Sequence, residues 1–107
     1  MRMLAVAVIT LLAAHAVEAQ QLAPRNKEPL TIHLVNATFD HAIGFLGRQA
    51  GIEVEFDESA TRERRNTKLT LRMEKVTLEE ALDTLTRMAG LTYKVVDVQT
   101  ILIYQLP

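Results

Sequence analysis

The chain contains no cysteine and no tryptophan. Without cysteine there is no disulfide, no thiolate nucleophile and no Cys-based zinc site, so the core alone must hold the fold. Aromatic residues are scarce, at 5% of the chain, and none is interleaved with the basic cluster at residues 62–68. That removes the stacking platform that single-stranded nucleic acid needs. An excess of one charge is also missing: 12 Lys and Arg stand against 13 Asp and Glu, for a formal net charge of −1. Such a balance gives no broad electrostatic drive toward nucleic acid or anionic lipid. The four glycines make no Gly-rich phosphate loop. No nucleophile elbow and no defensible Ser-His-Asp order occurs either.

A long apolar run is lacking as well. The longest extends from Met3 to Ala14 and is broken by Thr10. Crossing a bilayer takes about 20 residues, so this run falls short. With Met1-Arg2 before it and Val17-Glu18-Ala19 after it, the pattern is that of a secretory signal peptide covering residues 1–19. An amphipathic or buried first helix is the alternative. No Cys follows the expected cut, which argues against a lipid-anchored form. Residues 20–29 are polar, hold Pro24 and Pro29, and show no periodicity; they are expected to form a flexible lead-in to a domain at 30–107.

From Leu30 onward the chain is patterned. Leu30, Ile32 and Leu34 alternate as one face of a strand. Thr38 is a helix N-cap, and Phe39, Ala42, Ile43, Leu46 and Ala50 form an apolar face at helical spacing before Gly51 ends the helix. Ile52, Val54 and Phe56 alternate with Glu53, Glu55 and Asp57, as in a strand with one wet side. The polar stretch 57–68 is expected to be a loop. The same grammar then returns. Leu69 to Met73 is a strand, and Thr77 with Glu80 makes a capping box. Leu78, Ala81, Leu82, Leu85 and Ala89 face inward with Met88 beside them, and Gly90 stops the helix. Two further strands follow, at Leu91–Val95 and Thr100–Gln105.

The halves align without a gap 39 residues apart: Leu30, Thr38, Ala42, Leu46, Ala50 and Gly51 fall on Leu69, Thr77, Ala81, Leu85, Ala89 and Gly90. Two copies are too few for a solenoid. The expected fold is therefore α+β, a pseudo-symmetric β-α-β-β-α-β-β with both helices burying their apolar faces on sheet.

Little in the sequence points to chemistry. His15 belongs to the expected leader, while His33 and His41 have no second ligand at metal spacing, so no metal or cofactor is expected. Glu53, Glu55 and Asp57 share a strand face, and nothing near them in sequence would bury one and raise its pKa. Arg62, Arg64 and Arg65, with Lys68, form a basic cluster that is either a solvated loop or a contact to an acidic partner. Phe45 lies between Gly44 and Gly47 inside the first helix, either as a partner contact or as a wedge at the core edge. In the last strand Leu102 and Tyr104 oppose Ile101 and Ile103, so apolar side chains occupy both faces. If that strand is an open sheet edge, Leu102 and Tyr104 want cover from a partner.

Two stretches carry a resemblance. Leu30-Thr31-Ile32-His33-Leu34-Val35-Asn36-Ala37-Thr38 followed by Gln49-Ala50-Gly51-Ile52 is the first. Val76-Thr77-Leu78-Glu79-Glu80-Ala81-Leu82 followed by Gly90-Leu91-Thr92-Tyr93 is the second. In order and spacing the chain resembles the short N-terminal domain of secretins and TonB-dependent receptors over about residues 30–105. The resemblance implies two helices packed between small sheets and a periplasmic location, in some cases at the outer membrane. It also implies protein docking rather than catalysis. The partners implied are envelope proteins: a secretin, TonB-type receptor machinery or an inner-membrane regulator. No nucleic acid and no small-molecule substrate are expected. A signalling adaptor that docks onto an anti-sigma regulator is the second reading, and a small enzyme or metal-binding protein the third. The turn before the last strand, Asp97-Val98-Gln99-Thr100, lacks the usual Gly or Asn and so specifies the hairpin weakly.

Overall fold

The computed structural model describes residues 21–107, so the expected leader at 1–19 lies outside the described residues. Eight elements follow: β1 (Leu30–Thr38), α1 (Phe39–Ala50), β2 (Glu53–Phe56), α2 (Arg62–Arg65), β3 (Lys68–Val76), α3 (Leu78–Met88), β4 (Thr92–Asp97) and β5 (Thr100–Tyr104). The fold is α+β. β1 and β3 pair as a two-stranded sheet, while β2, β5 and β4 form a three-stranded sheet in that order. α1 touches β1 and β2, α3 touches β3 and β4, and the two helices touch each other.

The long helices begin and end where local chemistry requires. Thr38 Oγ1 accepts from His41 N–H at 3.1 Å and starts α1. Gly51, at φ 72°, ends it in the left-handed conformation that only glycine adopts without steric cost. At α3 the cap is reciprocal. Thr77 Oγ1 accepts from Glu80 N–H at 3.1 Å, and Glu80 Oε1 accepts from Thr77 N–H at 3.0 Å. The inward faces follow the helical period. Phe39, Ala42, Ile43, Leu46 and Ala50 of α1 and Leu78, Ala81, Leu82, Leu85 and Ala89, along and just past α3, are all buried. They meet Leu30, Ile32, Leu34 and Leu69 from one sheet and Ile101 and Ile103 from the other. Each such Leu, Ile or Phe contributes roughly 1.5–3 kcal/mol by leaving water. The buried hydroxyl of Thr86 donates to Leu82 O at 2.7 Å and so satisfies itself within the helix.

The sequence repeat is also a symmetry of pairing. β1 and β3 run antiparallel with Ile32 opposite Met73, Leu34 opposite Leu71, Leu30 opposite Val76 and Ala37 opposite Leu69. Exchanging each residue for its equivalent in the other half returns the same register, with His33 and Arg72 at the centre. Each strand carries one irregularity, and the two non-glycine residues with positive φ, Asn36 at 52° and Lys75 at 55°, are themselves equivalent. A kink shared by both halves belongs to the architecture, since one extra residue in each strand bends and twists the ribbon.

Four expectations need correction. The stretch 57–68 is not all loop: Thr61 Oγ1 accepts from Arg64 N–H at 3.3 Å and caps the single turn of α2. Met88 does not join the inward face but stands 42% exposed. The lead-in has no helix or strand, yet it is docked. Ala23 N–H donates to Val98 O at 2.5 Å, Asn26 N–H to Ala50 O at 3.1 Å, and Leu22 packs on the core. Most consequentially, β5 is the central strand, parallel to β2 and antiparallel to β4. Apolar residues on both its faces reflect neighbours on both sides rather than an uncovered edge. The weak turn before it is supplied by Asp97, whose Oδ1 accepts from Gln99 N–H at 3.0 Å as an Asx turn.

Candidate functional site

The residues singled out in the sequence do not converge on one spot. Leu102 and Tyr104 lie on the outer face of the three-stranded sheet, half-buried. Leu102 stands opposite Glu55 on one side and Lys94 on the other. The Lys94 ammonium sits 5.6 Å from the centre of the Tyr104 ring. Charged residues of the adjoining strands thus flank these two side chains, and long charged stems can lie along apolar surface. Phe45 is half-buried on α1.

The basic cluster is divided. Arg65 turns inward and grips Asp40 of α1: its Nε lies 3.2 Å and its Nη2 3.0 Å from Oδ1, with Nη2 also 3.3 Å from Oδ2. Its guanidinium stacks 3.8 Å from the centre of the Phe56 ring. Arg64 lies against Gly90, where an added Cβ would collide with the guanidinium. Arg62 is exposed.

Arg65, Asp40 and Phe56 form one wall of a cleft of about 660 Å³ that also takes in Asp57, Glu58 and Arg62. Its acidic side is preorganised. Ser59 Oγ donates to Asp57 Oδ2 at 2.6 Å and Ser59 N–H to the same oxygen at 3.0 Å. These bonds favour the charged form and hold the Asp57 carboxyl below its ordinary range, helped by the positive charge of Lys94. A smaller cleft of about 230 Å³ opens at the other end of β2, lined by Arg25, Gly47, Arg48, Gly51, Ile52, Glu53 and Gln99. Phe45 lines neither cleft.

Sequence reasoning missed the Asp40–Arg65–Phe56 group because its members lie on three different elements. The only local signal was the alternation that places Phe56 on the inner side of β2. Elsewhere, Tyr93 is held neutral to higher pH than usual, first by burial and then by the Asp83 and Glu79 carboxylates nearby. Among the described residues, no three His, Cys, Asp or Glu side chains gather as a metal site would need.

The fold matches that of a candidate anti-sigma factor. Two crystal structures of such a protein from Parabacteroides distasonis ATCC 8503, at 2.50 and 1.65 Å resolution, superpose with TM-scores of 0.61 and 0.62 at 16% identity. The match covers 72% of this chain and 34% of that one, so the shared region spans about a third of the length of the protein it matches. At this identity the likeness is one of fold. No family model and no curated protein matches the chain.

Proposed function

We propose that this chain is an exported, non-enzymatic docking module of cell-envelope signalling, and that its partner is an inner-membrane anti-sigma regulator. One observation carries the reading: the same fold forms about a third of a candidate anti-sigma factor. Two others support it. The singled-out residues are spread over separate surfaces, and the cleft beside the sheet edge at Phe56 is lined by charges of both signs. That is the character of a protein contact more than of a small-molecule site, which is enclosed and mainly apolar. The expected leader, residues 1–19, supports a periplasmic location, where the module would meet the outer part of such a regulator.

The test is capture of the purified chain on the immobilised periplasmic part of an anti-sigma regulator from the same organism, paired with a reporter for the cognate sigma factor. Saturable binding and a reporter response to deletion of the gene are expected. Absence of both rejects the reading. The resemblance to secretin and TonB-receptor N-terminal domains supports a second assignment, in which capture occurs on outer-membrane secretion or receptor machinery instead.

A further inference from the structure

Among the described residues, β2 ends its sheet, with β5 on one side only. Glu53 N–H donates to Gln99 O at 2.7 Å and Asp57 N–H to Ile103 O at 2.8 Å. Backbone direction alternates along a strand, so residues 53, 55 and 57 turn their amides and carbonyls toward β5. Val54 and Phe56 turn theirs to the open side. The two clefts already described lie at the two ends of this edge, one at Phe56 and one at Glu53.

α1 contributes to the lining of both clefts. Asp40 lines the first and Arg48 the second, and Gly44 stands between them one turn from each. The two interior glycines of α1 have different reasons to be there. A Cβ on Gly47 would stand 3.2 Å from Ile52 O and 3.4 Å from Val54 Cγ2, so this glycine lets the helix approach β2. A Cβ on Gly44 would meet only Arg48 Nη1, at 3.6 Å. Packing within the chain therefore explains Gly47 and leaves open space at Gly44.

Charge says what can fill that space. Glu53 and Glu55 are exposed on the outer side of the edge, with Asp57 and Glu58 beyond them, while Val54 and Phe56 are half-buried on the inner side. A second copy pairing edge to edge would set carboxylates beside carboxylates, which disfavours it. We propose that an extended segment of a protein partner, with apolar and Lys or Arg residues in alternation, adds to β2 as a further strand. Its apolar side chains meet Val54 and Phe56, and its basic ones meet Glu53 and Glu55. Arg25 and Arg48 line the cleft at the Gly51 end, and Arg62 and Arg65 the cleft at the Phe56 end, so the basic stretch is confined to the middle of the edge. The inference rests on the docking reading for the partner's identity but not for the groove.

The probe is a synthetic capped peptide of alternating Lys and Val or Thr, titrated into the purified chain and followed by NMR. Binding should slow hydrogen exchange at the Val54 and Phe56 amides, and a peptide with Glu in place of Lys should not bind. The double variant Glu53→Lys/Glu55→Lys should weaken binding about tenfold or more, since like charges then face each other. Gly44→Leu, with its fold verified by circular dichroism, should also weaken binding by filling the groove. Absent binding, binding without protection of those two amides, or binding untouched by both variants overturns the proposal. Regulator capture that survives both variants rejects the groove and leaves the docking reading intact. Peptide binding with the expected protection but no regulator capture does the reverse.

Discussion

The two interior glycines of α1 should respond in opposite directions to the same change. Replacing a helical glycine with alanine stabilises a protein by about 0.4–1 kcal/mol when the site accepts the methyl group, because the unfolded chain has less freedom to lose. Gly44 accepts it: the nearest atom, Arg48 Nη1 at 3.6 Å, is the flexible end of a side chain. In a domain of this size, 1 kcal/mol moves Tm by about 4–8 °C, so Gly44→Ala should raise Tm by several degrees. Gly47 has no such room. Its added methyl would press on a backbone oxygen at 3.2 Å and on Val54 Cγ2 at 3.4 Å. Overpacking of this kind costs about 1–3 kcal/mol and offsets or exceeds the helical gain. Gly47→Ala should therefore leave Tm unchanged or lower it. Paired thermal melts by circular dichroism, with urea midpoints at constant m value, measure the difference. An equal gain at both positions would show that α1 does not rest closely on β2, and the groove argued from that contact would go with it.

Leu46 and Leu85 are equivalent and fully buried, so each Leu→Ala should cost about 2–5 kcal/mol in urea denaturation; an unchanged midpoint would mean that the helix faces are misassigned. Thr77→Ala should lower stability by roughly 0.5–2 kcal/mol and by more than Thr38→Ala, because only Thr77 has the reciprocal bond from Glu80; melting curves that rank the two the other way refute this. Asp57 has a folded-state pKa below its unfolded value, so its contribution is complete above the unfolded pKa and disappears as pH falls through the folded one. Stability measured from neutral pH into the acid range should thus fall less in Asp57→Asn than in the wild type, and identical acid profiles would remove Ser59 as the cause.

Much of what a few neighbouring residues set could be read before any fold was known, the Thr61 cap and the Asp97 turn being the exceptions. Thr38, Thr77 and Glu80 cap helices, Gly51 and Gly90 stop them, and two periods, near 3.6 and 2, select the residues that turn inward. These features depend on backbone geometry within one or two turns, where contacts are dictated by spacing alone. The repeat was legible for the same reason, and it even carried the symmetry of the β1–β3 register.

What the sequence by itself determined, then, was the α+β class, the long helices, the strands and the inward faces. Tertiary structure alone decided which strands became neighbours. Apolar side chains on both faces of Thr100–Tyr104 fit either an edge awaiting a partner or a central strand with neighbours on each side. Parallel pairing of β5 with β2 settled that choice across some 46 residues of chain, as the bond from Gln105 N–H to Ser59 Oγ illustrates. The Arg65–Asp40 pair, the stacking on Phe56 and the contrast between Gly44 and Gly47 arose in the same way. Each depends on surfaces brought together from distant segments, and no local period encodes which distant surface will cover which.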